Sequence, residues 1–312
     1  MYVGIAGTLS RTVVIAADES FKYVGHYVEQ GMIWWLLSDR SVRMRRLARC
    51  LNGLARRVLG PMASSTDLWP KITAFAVGIS GTDFRDEVYF REVMDSLPFN
   101  GEIILSSIGE ASYCGGCLMK PGILIRAGTG TTIYGIDCHR QRKIANAWGP
   151  VLGDQGSGFA MAVELLRTAA CYEDGRLRTK EAEEICNAIT ERCGCRTFVE
   201  VHERLFHLQE FYGPDAFTRE IIELTQDLFR LASSGNQTAI GIVRSAAAEL
   251  VKSVKAVVNA LDFAHAELVP VCFAGNVLCR YDLLQETVVD DLSSLGAQMS
   301  KKFVPLPAEF VP

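Results

Sequence analysis

Short runs of Val, Ile and Tyr open the chain and are separated by glycine-containing or polar turns. They predict three β-strands, at about 1–6, 12–18 and 23–29. Residues 41–59 then place apolar side chains on one helical face and six arginines around it, which predicts an amphipathic helix with a solvated basic face. Further patterns predict a buried strand at 72–80, a helix at 84–96 and a strand at 102–107.

The same order of patterns begins again near residue 122. Three strands are predicted first, then four helices, a buried strand and a last helix. Their ranges are 122–128, 131–137 and 142–148 for the strands, 156–173, 179–193, 217–233 and 237–261 for the helices, then 269–275 and 279–294. A repeated unit of a strand meander followed by helices and strands indicates an α/β protein of two similar domains around a central cleft.

Composition narrows the classes of partner. The chain of 312 residues is 49% hydrophobic and 22% charged, and its net charge is −4, so extensive binding to nucleic acid is not expected. There is no pattern of a secretory signal and no apolar run of roughly 18–20 residues. We therefore expect a cytoplasmic protein without a membrane partner.

The ten cysteines are scattered and often lie within apolar segments, as reduced thiols of a cytoplasmic protein do. Two pairs are closer in sequence, Cys114-Gly-Gly-Cys117 and Cys193-Gly-Cys195. Both are most simply structural thiols. An alternative for Cys114 and Cys117 is an iron–sulfur cluster shared between two subunits.

Glycine-rich turns stand at equivalent places in the two halves, "GIAGTLSRT" at 4–12 and "GTGTT" at 128–132. Such turns direct backbone N–H groups at phosphate oxygens, and glycine lets the backbone approach closely. A pair of them could bind a polyphosphate from two sides. A third turn, "FAGNVL" at 273–278, is either an ordinary strand–helix connection or a place where a base or ribose lies against the backbone.

The segment "WGPVLGDQGSG" at 148–158 carries one acid between glycines. Asp154 or Ser157 could cap the following helix. Alternatively, Asp154 accepts hydrogen bonds from the hydroxyls of a polyol or binds hydrated magnesium. Trp148 is either a core residue or a wall for the apolar face of a sugar.

Together these motifs resemble the BadF/BadG/BcrA/BcrD ATPase family and, within it, the N-acetylglucosamine kinases, which belong to the class of actin and hexokinase. "GILIRAGTGTTIYG", "WGPVLGDQGSG", "VGISGTD" and "VCFAGNVL" carry the resemblance. It implies two ribonuclease-H-like domains that close over ATP. We place them at 1–115 and 116–312, the second with a helical insertion.

The resemblance also implies roles for particular residues. It implies ATP and Mg²⁺ as cofactors and Glu110, in "SSIGEAS", as the catalytic base where the family has an Asp. It implies sugar contacts from Ser80, Thr129, Trp148 and Asp154. It implies ATP contacts from Gly7, Thr8, Ser10, Gly128, Thr129, Gly130, Gly275 and Asn276.

The chain departs from the family pattern at several of these places. Ala6 stands where the first turn usually has an acid, Leu9 where it has a glycine, and Gln155 where the second motif has an acid. The kinases also have an Asn for the N-acetyl group in a segment that here reads Met32, Ile33, Trp34. Loss of the acid at Ala6 should weaken the placement of magnesium.

Three functions follow from this pattern. The first is ATP-dependent phosphorylation of a hexosamine-type sugar, by an enzyme that the resemblance implies is a homodimer. The second is a catalytically weakened sensor of a sugar or nucleotide, with the departures as its basis. The third is an activase-type ATPase with an iron–sulfur cluster at Cys114 and Cys117.

Overall fold

The computed structural model describes residues 1–8, 11–30, 40–79, 98–99, 101–263 and 266–306. The chain divides into two compact units, Met1–Ser112 and Tyr113–Pro312, and each unit has its own five-stranded sheet. The boundary expected from the sequence, between residues 115 and 116, falls within the helix Ile108–Cys117 that crosses this division.

The first unit contains a mixed sheet of strand order β3-β2-β1-β4-β5. Its strands are β1 (Tyr2–Gly7), β2 (Arg11–Ala17), β3 (Tyr23–Gln30), β4 (Ala74–Ile79) and β5 (Glu102–Ser107). The first three form an antiparallel meander, and β4 and β5 extend the sheet in parallel to β1. Its helices are α1 (Arg40–Leu59) and α2 (Ser65–Leu68), which a 3₁₀ turn (Trp69–Lys71) follows, and α3 (Ile108–Cys117) starts directly after β5.

The amphipathic pattern of α1 explains how the hydrophobic core of the first unit forms. Leu47, Leu51 and Leu54 recur at helical spacing, are at most 1% exposed, and share one core cluster with Phe75 and Val77 of β4. Most of the described arginines of α1 face solvent. The predicted helix and its solvated basic face are thus confirmed.

The second unit repeats the topology of the first. Its strands are β6 (Gly122–Ala127), β7 (Thr131–Ile136), β8 (Arg142–Ala145), β9 (Leu268–Ala274) and β10 (Lys302–Pro305). β6, β7 and β8 form the antiparallel meander, and β9 and β10 continue the sheet in parallel to β6, so the order is β10-β9-β6-β7-β8. The duplicated α/β architecture expected from the sequence is confirmed.

Six helices surround this second sheet. They are α4 (Gly149–Leu152), α5 (Gly158–Glu173), α6 (Lys180–Arg192), α7 (Phe198–Ser233), α8 (Gln237–Ala260) and α9 (Asp282–Met299). The inward faces of α5 to α9 share one core with the sheet. In the described part of the chain, every helix is too short or too polar to cross a membrane.

The longest helix, α7, is sharply bent. Arg204 and Glu220 are 16 residues apart and form an ion pair at 2.8 Å, whereas a straight α-helix would separate them by about 24 Å. Gly213 and Pro214 stand between them, a dipeptide that breaks or kinks helices. The predicted helix at 217–233 is therefore the second limb of α7, and the first limb was missed.

Further elements that were not predicted include the short helices α2 and α4, the strand β10 and the helix α3. β10 is four residues long and joins the sheet only through a parallel pairing with β9, which no local turn signals. α3 contains two adjacent glycines, which lower its helix propensity. The predicted helix at 84–96 and the segment of Met32, Ile33 and Trp34 lie outside the described residues.

Candidate functional site

Three loops of the second unit meet at the carboxyl ends of the parallel strands β6 and β9. They are the turn at 128–130, the Asp154 loop at 153–157 and the turn at 275–276. The Gly158 N–H donates to the carbonyl of Gly128 at 2.8 Å, which joins the start of α5 to the first turn. The Val277 N–H donates to the carbonyl of Ala127 at 3.2 Å, which joins the third turn to it as well. The fold thus unites three motifs that lie far apart in sequence.

Asp154 is fixed against the 128–130 turn. Its backbone is left-handed, with φ of 59°, and its Oδ1 accepts a hydrogen bond from the Thr131 N–H at 3.0 Å. A Cβ added to Gly130 would lie 2.8 Å from Asp154 Oδ2, so any other residue here would displace the carboxylate. Ser157 caps α5, because its side chain accepts from the Ala160 N–H at 3.1 Å. Of the two cap candidates, the structure selects Ser157 and leaves Asp154 for another task.

The electrostatics of Asp154 set it apart. Burial raises the pKa of this carboxyl to about 6, and the Thr131 N–H and the positive charge of Arg126 oppose the rise only in part. A carboxylate in such surroundings gains free energy from any ligand that donates hydrogen bonds to it or brings a positive charge. Shifted pKa values of this kind gather at functional sites.

The backbone amides of the 128–130 turn indicate a site that could bind an anion. The Gly128 N–H donates to the Gly130 carbonyl at 2.9 Å, whereas the amides of Thr129 and Gly130 find no acceptor within the described part of the chain. The first amides of α5 are occupied, since Gly158 and Phe159 donate to carbonyls of this turn. Of these backbone amides, those of the turn itself are the ones left available to an anion.

The turn at 275–276 packs directly against the backbone of Ala127 and Gly128. Gly275 has φ of 92°, and a Cβ there would lie 2.3 Å from the carbonyl oxygen of Ala127. The exposed Asn276 places its side-chain oxygen 2.9 Å from where a Cβ of Gly128 would be. The predicted ATP residues of the second unit are therefore brought together.

Asn146 supports the Asp154 loop and was missed by sequence reasoning. Its side chain donates to the Gln155 carbonyl at 2.7 Å and accepts from the Gln155 N–H at 3.1 Å. Its only sequence signal is that Asn tolerates the left-handed backbone found here, φ of 60°. Gln155 is held by its backbone while its side chain is exposed, so the loop does not depend on which side chain stands there.

Trp148 is 62% exposed and is therefore not a core residue. It precedes α4, and Val151 and Leu152 of that short helix are also exposed. Exposed apolar surface of this kind is consistent with an aromatic wall for a sugar.

Fewer of the predicted site residues of the first unit lie within the described part of the chain. Gly7 ends β1, and the Thr8 hydroxyl donates to the Arg11 carbonyl at 2.9 Å, so this hydroxyl closes the hairpin. Leu9, Ser10 and Ser80 lie outside the described residues. Ala6 lies in β1 between Val13 and Gly78.

Glu110 lies in the first turn of α3, where its N–H donates to the Ser107 hydroxyl at 3.0 Å. An acid at this place interacts favourably with the helix dipole. Its assignment as catalytic base stays a prediction.

The Cys114 and Cys117 thiols lie in different surroundings. Cys114 is exposed and its Sγ donates to the sulfur of Met119 at 3.0 Å, whereas Cys117 is 4% exposed and its Sγ donates to the Ile123 carbonyl. A cluster shared between two subunits needs both thiolates at a surface. The structure does not favour that alternative.

The chain is similar to several known proteins. An N-acetylmuramic acid/N-acetylglucosamine kinase from Clostridium acetobutylicum is 27% identical over 248 residues, 79% of this chain and 76% of the relative. A solved protein from Porphyromonas gingivalis, provisionally assigned as an N-acetylglucosamine kinase, matches with a TM-score of 0.69 at 17% identity, over 100% of this chain and 94% of that one. A ROK family glucokinase from Streptomyces griseus, solved with glucose and AMPPNP, matches with a TM-score of 0.55 at 11% identity, over 98% and 94%.

The two structural likenesses show that the fold is the two-domain, actin-like ATPase fold. The family model matches residues 48–306, which include all three loops of the site. Membership implies the use of ATP, as the resemblance of the motifs does. The chain therefore belongs to the BadF/BadG/BcrA/BcrD ATPase family.

Proposed function

We propose that this protein transfers the γ-phosphoryl group of ATP to a hydroxyl group of a hexosamine-type sugar. The observation that carries the proposal is Asp154, a partly buried carboxylate fixed beside a turn with two available backbone amides. Such a pair of features suits a sugar hydroxyl on one side and a phosphate on the other. The relatives that are named as sugar kinases support the same activity.

The residues divide the work as follows. The amides of Thr129 and Gly130 bind phosphate oxygens, and the 275–276 turn lies against the adenosine. Asp154 accepts hydrogen bonds from sugar hydroxyls and orients them, with Thr129 and Trp148 as further sugar contacts.

The chemical step is an in-line displacement. The sugar oxygen forms a bond to the γ-phosphorus, the bond from that phosphorus to the bridging oxygen breaks, and ADP leaves. The proton of the attacking hydroxyl passes to a carboxylate, for which we propose Glu110.

A divalent ion fits part of this arrangement. Mg²⁺ is bound by one or two carboxylates together with phosphate oxygens and water, and Asp154 supplies one carboxylate whereas Ala6 supplies none. When bound, Mg²⁺ neutralises the charge of the phosphates. We propose Mg²⁺ as the accompanying ion on this basis.

An ADP-release assay with ATP, Mg²⁺ and a panel of sugars tests the activity. The panel holds N-acetylglucosamine, N-acetylmuramic acid, glucosamine and glucose, and mass spectrometry identifies the phosphorylated product. Asp154→Asn tests the role of the carboxylate charge, because Asn keeps the oxygen that accepts from Thr131 but removes the charge. Folded protein that releases no ADP above the buffer rate with any sugar would contradict the proposal.

The first hairpin favours a second candidate, a sensor without turnover. Ala6 stands at the family's acid, and the Thr8 hydroxyl is already engaged with Arg11. Thermal unfolding with sugar alone and with ATP–Mg²⁺ alone separates the two functions. Stabilisation by sugar but not by nucleotide supports the sensor, and sugar-dependent ADP release excludes it.

We also propose that the protein is a cytoplasmic homodimer, as the resemblance implies. All ten cysteines are free, which suits a reducing compartment. Light scattering behind size exclusion measures the oligomeric state, and a mass of one chain would contradict the dimer.

A further inference from the structure

A second group of chemically versatile side chains lies where the β7–β8 turn meets the end of α8. Cys138 and His139 belong to the turn, and Asp262 follows α8, which ends at Ala260. The six residues of β7 separate this group from the 128–130 turn, about 20 Å. It is therefore a place apart from the proposed kinase site.

The three side chains are close enough to share one ion. His139 Nε2 lies 3.1 Å from Asp262 Oδ2, and Cys138 Sγ donates to the Asp262 carbonyl at 3.8 Å. The sulfur, nitrogen and carboxylate oxygen all lie within 4.8 Å of one another. Among the described residues, this is the one group of three His, Cys, Asp or Glu side chains with that geometry.

Asp137 holds the backbone of this group in place. It is 2% exposed, and its carboxylate accepts from the N–H groups of His139 and Gln141 at 2.9 Å and of Asp262 at 3.0 Å. The turn and the end of α8, more than 120 residues apart in sequence, are thereby joined without an ion. An incoming ion finds the backbone of its ligands already ordered, so only side-chain entropy is lost on binding.

We propose that Cys138, His139 and Asp262 form a zinc-binding site. Thiolate, imidazole and carboxylate are the ligands that Zn²⁺ takes, whereas Mg²⁺ and Ca²⁺ prefer oxygen alone. Three protein ligands leave the fourth tetrahedral position to water. The Cys138 thiol gives up its proton to solvent as the zinc–sulfur bond forms.

The geometry needs only a small adjustment. Tetrahedral zinc places its nitrogen, oxygen and sulfur ligands about 3.5 Å from one another. The His139–Asp262 pair is already near that separation, and the exposed Cys138 side chain has to swing by about 1 Å. The bound ion would fasten the β7–β8 turn to α8 and so stabilise the second unit.

The test uses the full chain, freed of metal with a chelator. Zn²⁺ is titrated in competition with a chromophoric chelator, and Co²⁺ serves as a spectroscopic probe of thiolate ligation. We expect one zinc ion per chain, with binding at least about tenfold weaker in Cys138→Ser and in His139→Ala. The thiolate-to-cobalt absorption should be present in the wild type and absent in Cys138→Ser.

Cys114→Ser is the matched control, because Cys114 is also an exposed thiol but lies outside the proposed zinc site. It should bind zinc as the wild type does. Both test residues are exposed, so without metal their variants should unfold at the wild-type temperature. Added zinc should raise the unfolding temperature of the wild type and of Cys114→Ser only. Absence of zinc binding, or binding that Cys138→Ser leaves unchanged, overturns the proposal.

Discussion

At the scale of single residues, Asp154 lowers the stability of the folded protein at neutral pH. Its pKa of about 6 in the folded protein lies above the usual value of an unfolded Asp, with burial as the main cause. The contribution of this carboxyl to the free energy of unfolding is therefore fully present at pH values below the pKa that Asp154 has in the unfolded chain. It is lost as the pH rises through about 6, because the folded state then holds a carboxylate that burial disfavours. A residue that lowers stability at neutral pH is better explained by a ligand than by packing.

Replacing Asp154 with Asn should accordingly stabilise the protein at pH 8. We expect a gain of up to about 3 kcal/mol in the free energy of unfolding, and little difference from the wild type at pH 4. Urea unfolding at both pH values measures the effect. Asp290→Asn, at an exposed position of α9, should change stability little at either pH. A variant that is less stable than the wild type at pH 8 would show that burial does not govern this carboxyl.

Glu110→Gln tests the proposed catalytic base. Gln keeps the size of the side chain and leaves the backbone bond to Ser107 intact, but it cannot accept a proton. We expect kcat to fall by about 10²–10⁴-fold while KM for the sugar changes little. Glu102→Gln, at the exposed start of β5, is the control and should retain full activity. An unchanged kcat in Glu110→Gln would remove this residue from the mechanism.

At the scale of elements, the sequence predicted those strands and helices that have a hydrophobic periodicity of their own. The strands β1 to β9 and the buried face of α1 followed from apolar runs and helical spacing, because each stretch must bury its own surface. β10 did not, since four residues gain their place only by pairing with β9. The site divides in the same way. The glycine turns and Asp154 were visible as motifs. The support of the Asp154 loop by Asn146 was not, because its two hydrogen bonds to Gln155 span nine residues and follow no sequence pattern.

One buried acid adds an ion pair to the contact between α6 and α7. Asp227 of α7 is 5% exposed and pairs with Arg192 of α6 and with Arg230, one turn along its own helix. Arg192 is the less exposed of the two arginines and links the two helices. Removing it leaves a buried carboxylate with a weaker partner.

Arg192→Met should therefore destabilise the protein by about 2–4 kcal/mol, since Met keeps the apolar stem but not the charge. Arg230→Met is the matched control, because it removes a mostly exposed charge from the same acid and should lower stability by less than about 1 kcal/mol. Urea unfolding of both variants gives the comparison. Equal effects would mean that the link between helices adds nothing to the pair.

At the scale of the whole molecule, two units of the same strand order have separate hydrophobic cores. The first unit packs around β1, β4 and α1, and the second packs around β6, β9 and the helices α5 to α9. The helix α3 crosses the division and delivers Tyr113 and Cys117 to a small cluster under β6 and β7. The second unit is thus complete only with the last part of α3.

A fragment of residues 108–312 should consequently fold on its own and unfold in one cooperative transition. A fragment of residues 119–312 lacks Tyr113, which is fully buried, contacts Tyr134 at 5.2 Å between ring centroids, and donates to the Lys120 carbonyl. Loss of a buried aromatic side chain of this size destabilises by about 3–5 kcal/mol, so the shorter fragment should be less stable by at least that amount. Tyr113→Ala in the full chain provides a control in which nothing is truncated, and it should destabilise the second unit similarly. Equal stability of the two fragments, measured by circular dichroism in urea, would show that α3 belongs to the first unit alone.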